Sequence, residues 1–178
     1  VQTLNTPNPN SLKFLPGEKV SISGPIEFTD KNKTSNELIR NILSINGVIG
    51  LFLSDDFLSV NKNSKTDWED IKHIVISFIN EFYSGGKKYV YENYSSKNKD
   101  VNLDEIEKKI IKILETKIRP AVARDGGDIK FKEYKDGKVT VEMQGSCSGC
   151  PSSTMTLKQG VENLLKHYIP EITEVIPV

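Results

Sequence analysis

The sequence predicts an α/β protein of the α+β kind, built as two small domains, and three observations lead there. Its 178 residues exceed one average domain but cannot make two large ones, since domains cluster at roughly 100 to 150 residues. Residues 1–86 and 103–178 carry strand and helix patterns, and the unpatterned stretch 87–102 lies between them. The second patterned stretch reads αββαβ, which in so small a unit gives a three-stranded sheet packed by helices.

The first stretch opens with Thr6-Pro7-Asn8-Pro9-Asn10, whose two prolines fix φ and read as a turn leading into a strand. Leu12, Phe14 and Val20, Ile22 alternate with polar neighbours as half-buried strands do. Thr34 followed by Glu37 reads as a capping box before the helical stripe Leu38, Ile39, Ile42, Leu43, Ile45, which ends at Asn46-Gly47. Residues 48–53 and 57–60 flank Asp55-Asp56 as a hairpin. Thr66 with Glu69 starts a longer helix carrying Trp68, Ile71, Val75, Phe78, Ile79 and Phe82 on one face, stopped by Gly85-Gly86. This is a mixed α/β domain.

Residues 87–102 are rich in Lys, Asn and Ser with scattered tyrosines and no period, so they read as a flexible linker. Asn102 then caps a helix whose Leu103, Ile106, Ile110, Ile113, Leu114 and Ile118 share a stripe, with a kink or second short helix at Pro120. Two alternating runs flank Asp136-Gly137, a strong hairpin signal. A helix with Met155, Leu157, Val161, Leu164, Leu165 and Tyr168 follows, and then a short strand over 172–178.

Twenty-four basic residues balance twenty-four acidic ones, which argues against an electrostatic affinity for nucleic acid or for an anionic membrane. Apolar runs are only a few residues long, against the roughly 20 needed to span a bilayer, so neither a transmembrane segment nor a signal peptide is expected. Two cysteines are too few for a secreted disulfide framework, so a reducing compartment fits best. No catalytic triad, P-loop or dinucleotide glycine fingerprint occurs, and nothing requires an enzyme.

Chemistry concentrates in Gly145-Ser146-Cys147-Ser148-Gly149-Cys150-Pro151, between a strand end and a helix start. Pro151 suits the first helical position, which puts Cys150 at or near the N-cap, where unpaired amides and the helix dipole favour a thiolate. The flanking glycines let two sulfurs turn toward one point. Three chemistries use such a pair. A thiol–disulfide redox couple has this spacing, but here the pair follows a hairpin and lacks the expected βαβ context. A structural zinc site needs four ligands, and only His73 and His167 are available, one in each domain. An iron–sulfur cluster also wants about four thiolates, which two chains related by a two-fold axis would supply.

Three segments of the second stretch carry a family resemblance. Arg119-Pro120-Ala121-Val122, Asp125-Gly126-Gly127-Asp128-Ile129 and residues 145–154 resemble the signature of the NifU C-terminal domain of Nfu-type proteins. The run from Thr6 to Phe14 resembles the opening of the Nfu N-terminal domain. The resemblance implies a non-enzymatic iron–sulfur cluster scaffold or carrier, with Cys147 and Cys150 as ligands of a [4Fe–4S] cluster bridging two subunits. It also implies upstream cluster-assembly proteins, client apoproteins and a cluster-dependent homodimer as partners. The expected location is the bacterial cytoplasm, with the mitochondrial matrix as the alternative. A thiol–disulfide oxidoreductase is the rival reading. Asp125 to Asp128 reads as a plain turn, and Arg119 and Arg124 as surface salt-bridge formers.

Overall fold

The computed structural model describes residues 1–92, 104–146 and 151–178. They divide into two compact units, one within residues 1–97 and one within 98–178, each closing around its own apolar core. Both units mix helices and strands, as expected for an α+β chain.

Five antiparallel strands build the first unit: β1 (Gln2–Asn5), β2 (Ser11–Leu15), β3 (Ile26–Phe28), β4 (Val48–Leu53) and β5 (Leu58–Lys62), in the order β1-β2-β5-β4-β3. Leu12, Phe14, Leu51, Leu53, Leu58 and Val60 meet Leu38, Ile39 and Ile42 of α1 (Glu37–Leu43) and Val75 and Ile79 of α2 (Trp68–Ser84) in one core. The turn at Thr6–Asn10 forms through side chains: Thr6 Oγ1 lies 2.9 Å from the Ser11 carbonyl, and Asn8 Oδ1 accepts from the Asn10 amide at 2.9 Å. The strand ahead of it, β1, has no apolar alternation of its own and takes its register from β2.

Several expectations shift here. Val20 and Ile22 do not lie in a strand: positive-φ glycines at 17 and 24 turn the chain on either side, Val20 is buried and Ile22 is exposed. The helix caps also move. Asn36, not Thr34, caps α1, accepting from the Ile39 amide at 3.1 Å, and α2 starts from Asp67 while the Thr66 hydroxyl donates to Asn63 Oδ1. Gly85-Gly86 ends α2 as expected, with Gly86 left-handed.

The stretch expected to begin the linker at Lys87 is partly docked. Val90 is buried in the first core, the amides of Val90 and Tyr91 both donate to the Val20 carbonyl, and Tyr91 packs edge-on against Phe28 at 5.3 Å. Two apolar contacts without periodicity leave no signal in a hydropathy pattern. Residues 93–102, including the expected cap Asn102, lie outside the described residues together with Leu103.

The second unit runs α3 (Glu105–Ile113), a π-helical turn (Leu114–Ile118), α4 (Arg119–Arg124), β6 (Gly127–Lys135), β7 (Lys138–Gly145), α5 (Pro151–Tyr168) and β8 (Glu174–Pro177). This is the expected αββαβ order, with a three-stranded sheet β6-β7-β8. Ile110, Leu114 and Val122 from the first helical stretch and Val161 and Leu165 from α5 share one core with Ile129, Val139, Val141, Met143 and Val175 of the strands. Pro120 explains the π turn. Its ring removes the amide that would bond the Thr116 carbonyl and crowds that carbonyl; the helix widens, and the Arg119 amide reaches back five residues to the Leu114 carbonyl. On α5, Met155 is 70% exposed and Tyr168 is 49% exposed, so the buried stripe is narrower than expected and rests on Val161 and Leu165.

One carboxylate ties α5 to β8. Glu162 accepts from Lys166 Nζ at 2.8 Å and from the Val175 amide at 3.3 Å, and these bonds, Lys166 first, hold its carboxyl below the usual carboxylate range. Its stabilising contribution is therefore present at neutral pH and is lost as pH falls through the lowered folded-state value. Acid titration of Glu162→Gln beside the parent should show that loss missing from the variant. Identical acid profiles would show that the tie contributes nothing.

Candidate metal centre

β7 and α5 flank the four residues Cys147-Ser148-Gly149-Cys150, which lie outside the described residues. The structure gives the frame on both sides of them. β7 ends in Gly145, left-handed at φ +66, paired in register with Gly127. Ser146 comes next and is 2% exposed. Its amide donates to the Gly126 carbonyl at 3.2 Å and its hydroxyl donates to the Asp125 carbonyl. On the other side α5 begins at Pro151, as expected: proline's fixed φ suits a first helical position, where its missing N–H would have had no intrahelical acceptor. In chain order the two thiols therefore fall between a pinned strand end and a helix N-terminus, whose dipole favours negative charge.

The turn Asp125–Gly126–Gly127–Asp128 is more than a connection. Gly126 is left-handed at φ +80 and closes α4, with its amide on the Ala123 carbonyl, so its carbonyl and that of Asp125 are both presented to Ser146. Asp128 is 3% exposed. Arg119 grips it with two hydrogen bonds, Nε to Oδ1 at 2.9 Å and Nη2 to Oδ2 at 3.2 Å, while Glu115 stands 3.9 Å from the third guanidinium nitrogen. The expected surface bridge therefore has a buried carboxylate. Arg124 is exposed.

His73 lies in the first unit, where its ring meets the Glu69 carbonyl, and His167 is exposed against Tyr168. Among the described residues no group of three or more His, Cys, Asp or Glu could hold a metal ion. One argument from the sequence does not survive. β7 and β8 are parallel with α5 between them, so the cysteines sit at the strand-to-helix junction of a βαβ unit, the context that chain order alone had denied them. Ser146 and the buried end of the Arg119–Asp128 pair were not foreseen either; both depend on contacts between residues far apart in sequence.

Residues 110–176 match the family model described as NifU-like domain, and residues 1–86 match the one described as Scaffold protein Nfu/NifU N terminal. The "NFU1 iron-sulfur cluster scaffold homolog, mitochondrial" of Homo sapiens is 41% identical over 97% of this chain and 69% of its own length. "NifU-like protein 4, mitochondrial" of Arabidopsis thaliana is 38% identical over 97% of this chain, which spans 63% of that relative. A solution NMR structure of a NifU-like protein from Saccharomyces cerevisiae is 34% identical, covering 54% of this chain and 84% of that one with a TM-score of 0.46. The chain belongs to the Nfu family of NifU-like proteins.

Proposed function

We propose that this chain is an iron–sulfur cluster carrier, not an enzyme, in which Cys147 and Cys150 are the ligands and a [4Fe–4S] cluster is the cargo. The observation that carries the proposal is the frame: a strand end pinned through Ser146 and a helix opened by Pro151 hold a connection whose only thiols are these two. Relatives named as iron–sulfur cluster scaffolds support the same chemistry. One chain offers two thiolates, a cluster wants about four, and an isologous pair of chains supplies them. The cluster would therefore bridge a homodimer that forms on loading, arriving from assembly proteins and leaving to client apoproteins by stepwise thiolate exchange. Residues 1–92, with Val90 and Tyr91 docked on the first core, would serve recognition and residues 103–178 cluster binding, with residues 93–102 between them in sequence. The mitochondrial relatives favour the mitochondrial matrix over the bacterial cytoplasm.

Anaerobic reconstitution tests this reading. About two irons and two sulfides per chain, with apo protein monomeric and loaded protein dimeric, is the expected outcome, because binding confined to the dimer pulls the association equilibrium. Four irons on a monomer would overturn the bridging arrangement. The βαβ setting of the cysteines favours a second reading, a thiol–disulfide couple. That reading would prevail if the protein takes up no iron and instead exchanges disulfides with a dithiol.

A further inference from the structure

We propose that the cleft between α1 and α2 is a docking site for a partner protein, and that it takes an arginine carried beside an apolar side chain; the inference rests on the reading of residues 1–92 as the recognition unit. The cleft has a volume of about 320 Å³, at the small end of ligand-sized pockets, which run from roughly 300 to 1,000 Å³. It has room for one or two side chains and not for a large cofactor. Phe78 and Phe82 stand four residues apart on α2 and so share one face. Both are half-buried, packed against the first core on one side and open to the cleft on the other. Glu37 at the start of α1 and Glu81 near the end of α2 stand at its rim, and both are exposed.

Three observations point to a cation. Glu37 and Glu81 line the same cleft, and among the described residues neither carboxylate is in an ion pair. α2 has no basic residue in its last turn, so the negative end of its dipole adds to the charge of Glu81. The aromatic floor already attracts a cation: Lys87 Nζ lies 5.8 Å from the Phe82 ring centroid, at the outer limit of such a contact. Lys87 is exposed just beyond the end of α2, and an ammonium on a long flexible stem at that distance is readily displaced. A guanidinium suits the site better than an ammonium, because its plane stacks on an aromatic face while its edge hydrogen-bonds a carboxylate. Phe78 leaves apolar surface for the side chain next to it.

The test uses the whole chain without cluster and the probe N-acetyl-leucyl-arginyl-leucine amide, with its lysyl, glutaminyl and glutamyl analogues as controls, in an amide-resolved NMR titration. The arginyl peptide should saturably shift amides of residues 37–41 and 78–87. It should bind about threefold tighter than the lysyl peptide, and the other two should not saturate. Glu37→Gln combined with Glu81→Gln should weaken it about fivefold, the scale of two exposed ion pairs, and added salt should weaken it likewise. Lys87→Ala should tighten it about threefold, because the competing cation over Phe82 is gone. That gain separates the proposal from its rivals: a site for an acidic segment would lose affinity with Lys87, and a purely structural Lys87 would change nothing. All three substitutions fall at exposed positions, so the fold should be retained. Weaker or unchanged binding in Lys87→Ala, or equal binding of the glutamyl peptide, would overturn the proposal. Self-association of the free protein that shifts the same amides would also overturn it, since the occupant would then be a second copy. Iron uptake on anaerobic reconstitution should be alike in parent and variants. A parent that binds the peptide but takes up no iron fails the cluster reading and upholds the docking site; one that takes up iron and leaves the peptide unbound does the reverse.

Discussion

Cys147→Ser and Cys150→Ser, each made singly, should leave less than about a tenth of the parent's iron after anaerobic reconstitution. Symmetry makes the effect large. In a two-fold pair each substitution occurs twice, so one change removes two of four thiolates. The replacement cannot serve in their place: a thiolate is a soft donor suited to iron–sulfur clusters, and a serine hydroxyl is hard and remains protonated at neutral pH. The change in volume is small, and Ser146 and Pro151 continue to anchor the flanking strand and helix. Thermal unfolding of the apo variants should therefore stay within a few degrees of the parent. Visible absorption with iron and sulfide assays measures loading, and calorimetry measures the fold. A single variant that still takes up a full complement of iron would overturn the ligand assignment, whatever its stability.

How much of this was legible depended on whether the determining contacts were local. Pro151 at a helix start, Asp136-Gly137 at a hairpin tip and Gly85-Gly86 at a helix end follow from the φ each residue allows, and the structure places all three as expected. Pro120 foretold a break in the first helix of the second unit. That the break takes the form of a π turn aiming Arg119 at Asp128 depends on β6 being there to receive it. The caps slipped by one or two residues because Thr34, Asn36, Thr66 and Asp67 are all chemically able to cap. Packing chose between them, and Thr66 was claimed by Asn63 and by close contact with Gly47. The two cysteines could be read as a metal-binding or redox motif, but the direction of β8 could not be read, and with it the βαβ setting. Strand direction is decided by the length and packing of α5, which the strand's own four residues do not encode.

Gly137→Val should destabilise the second unit strongly. Asp136 and Gly137 both have positive φ, at 50° and 78°, the pair of left-handed conformations that a two-residue hairpin turn demands. A side chain in that conformation costs roughly 1–2 kcal/mol. The space is also taken: a Cβ at Gly137 would stand 2.9 Å from the Glu171 backbone oxygen and 2.9 Å from Thr173 Oγ1. Thr173 could rotate away, whereas a carbonyl moves only with its chain. That chain is the approach to β8, and Gly137 is its seat, since the Gly137 carbonyl accepts from the Thr173 amide at 2.7 Å and from the Glu174 amide at 3.3 Å. The first parallel pair, Lys138 with Glu174, follows directly. Strain and displacement together should cost about 2–4 kcal/mol, which for a unit of this size lowers its unfolding midpoint by about 8–32 °C at roughly 4–8 °C per kcal/mol. Gly160→Ala supplies the contrast within the same unit. Gly160 lies on the exposed side of α5, and a Cβ there would meet nothing within 4 Å. Alanine should therefore stabilise by about 0.5–1 kcal/mol, the usual cost of glycine inside a helix. Opposite shifts in the two midpoints by calorimetry are the expected result. A Gly137→Val midpoint at or above the parent's would show that β8 does not depend on the hairpin tip for its start.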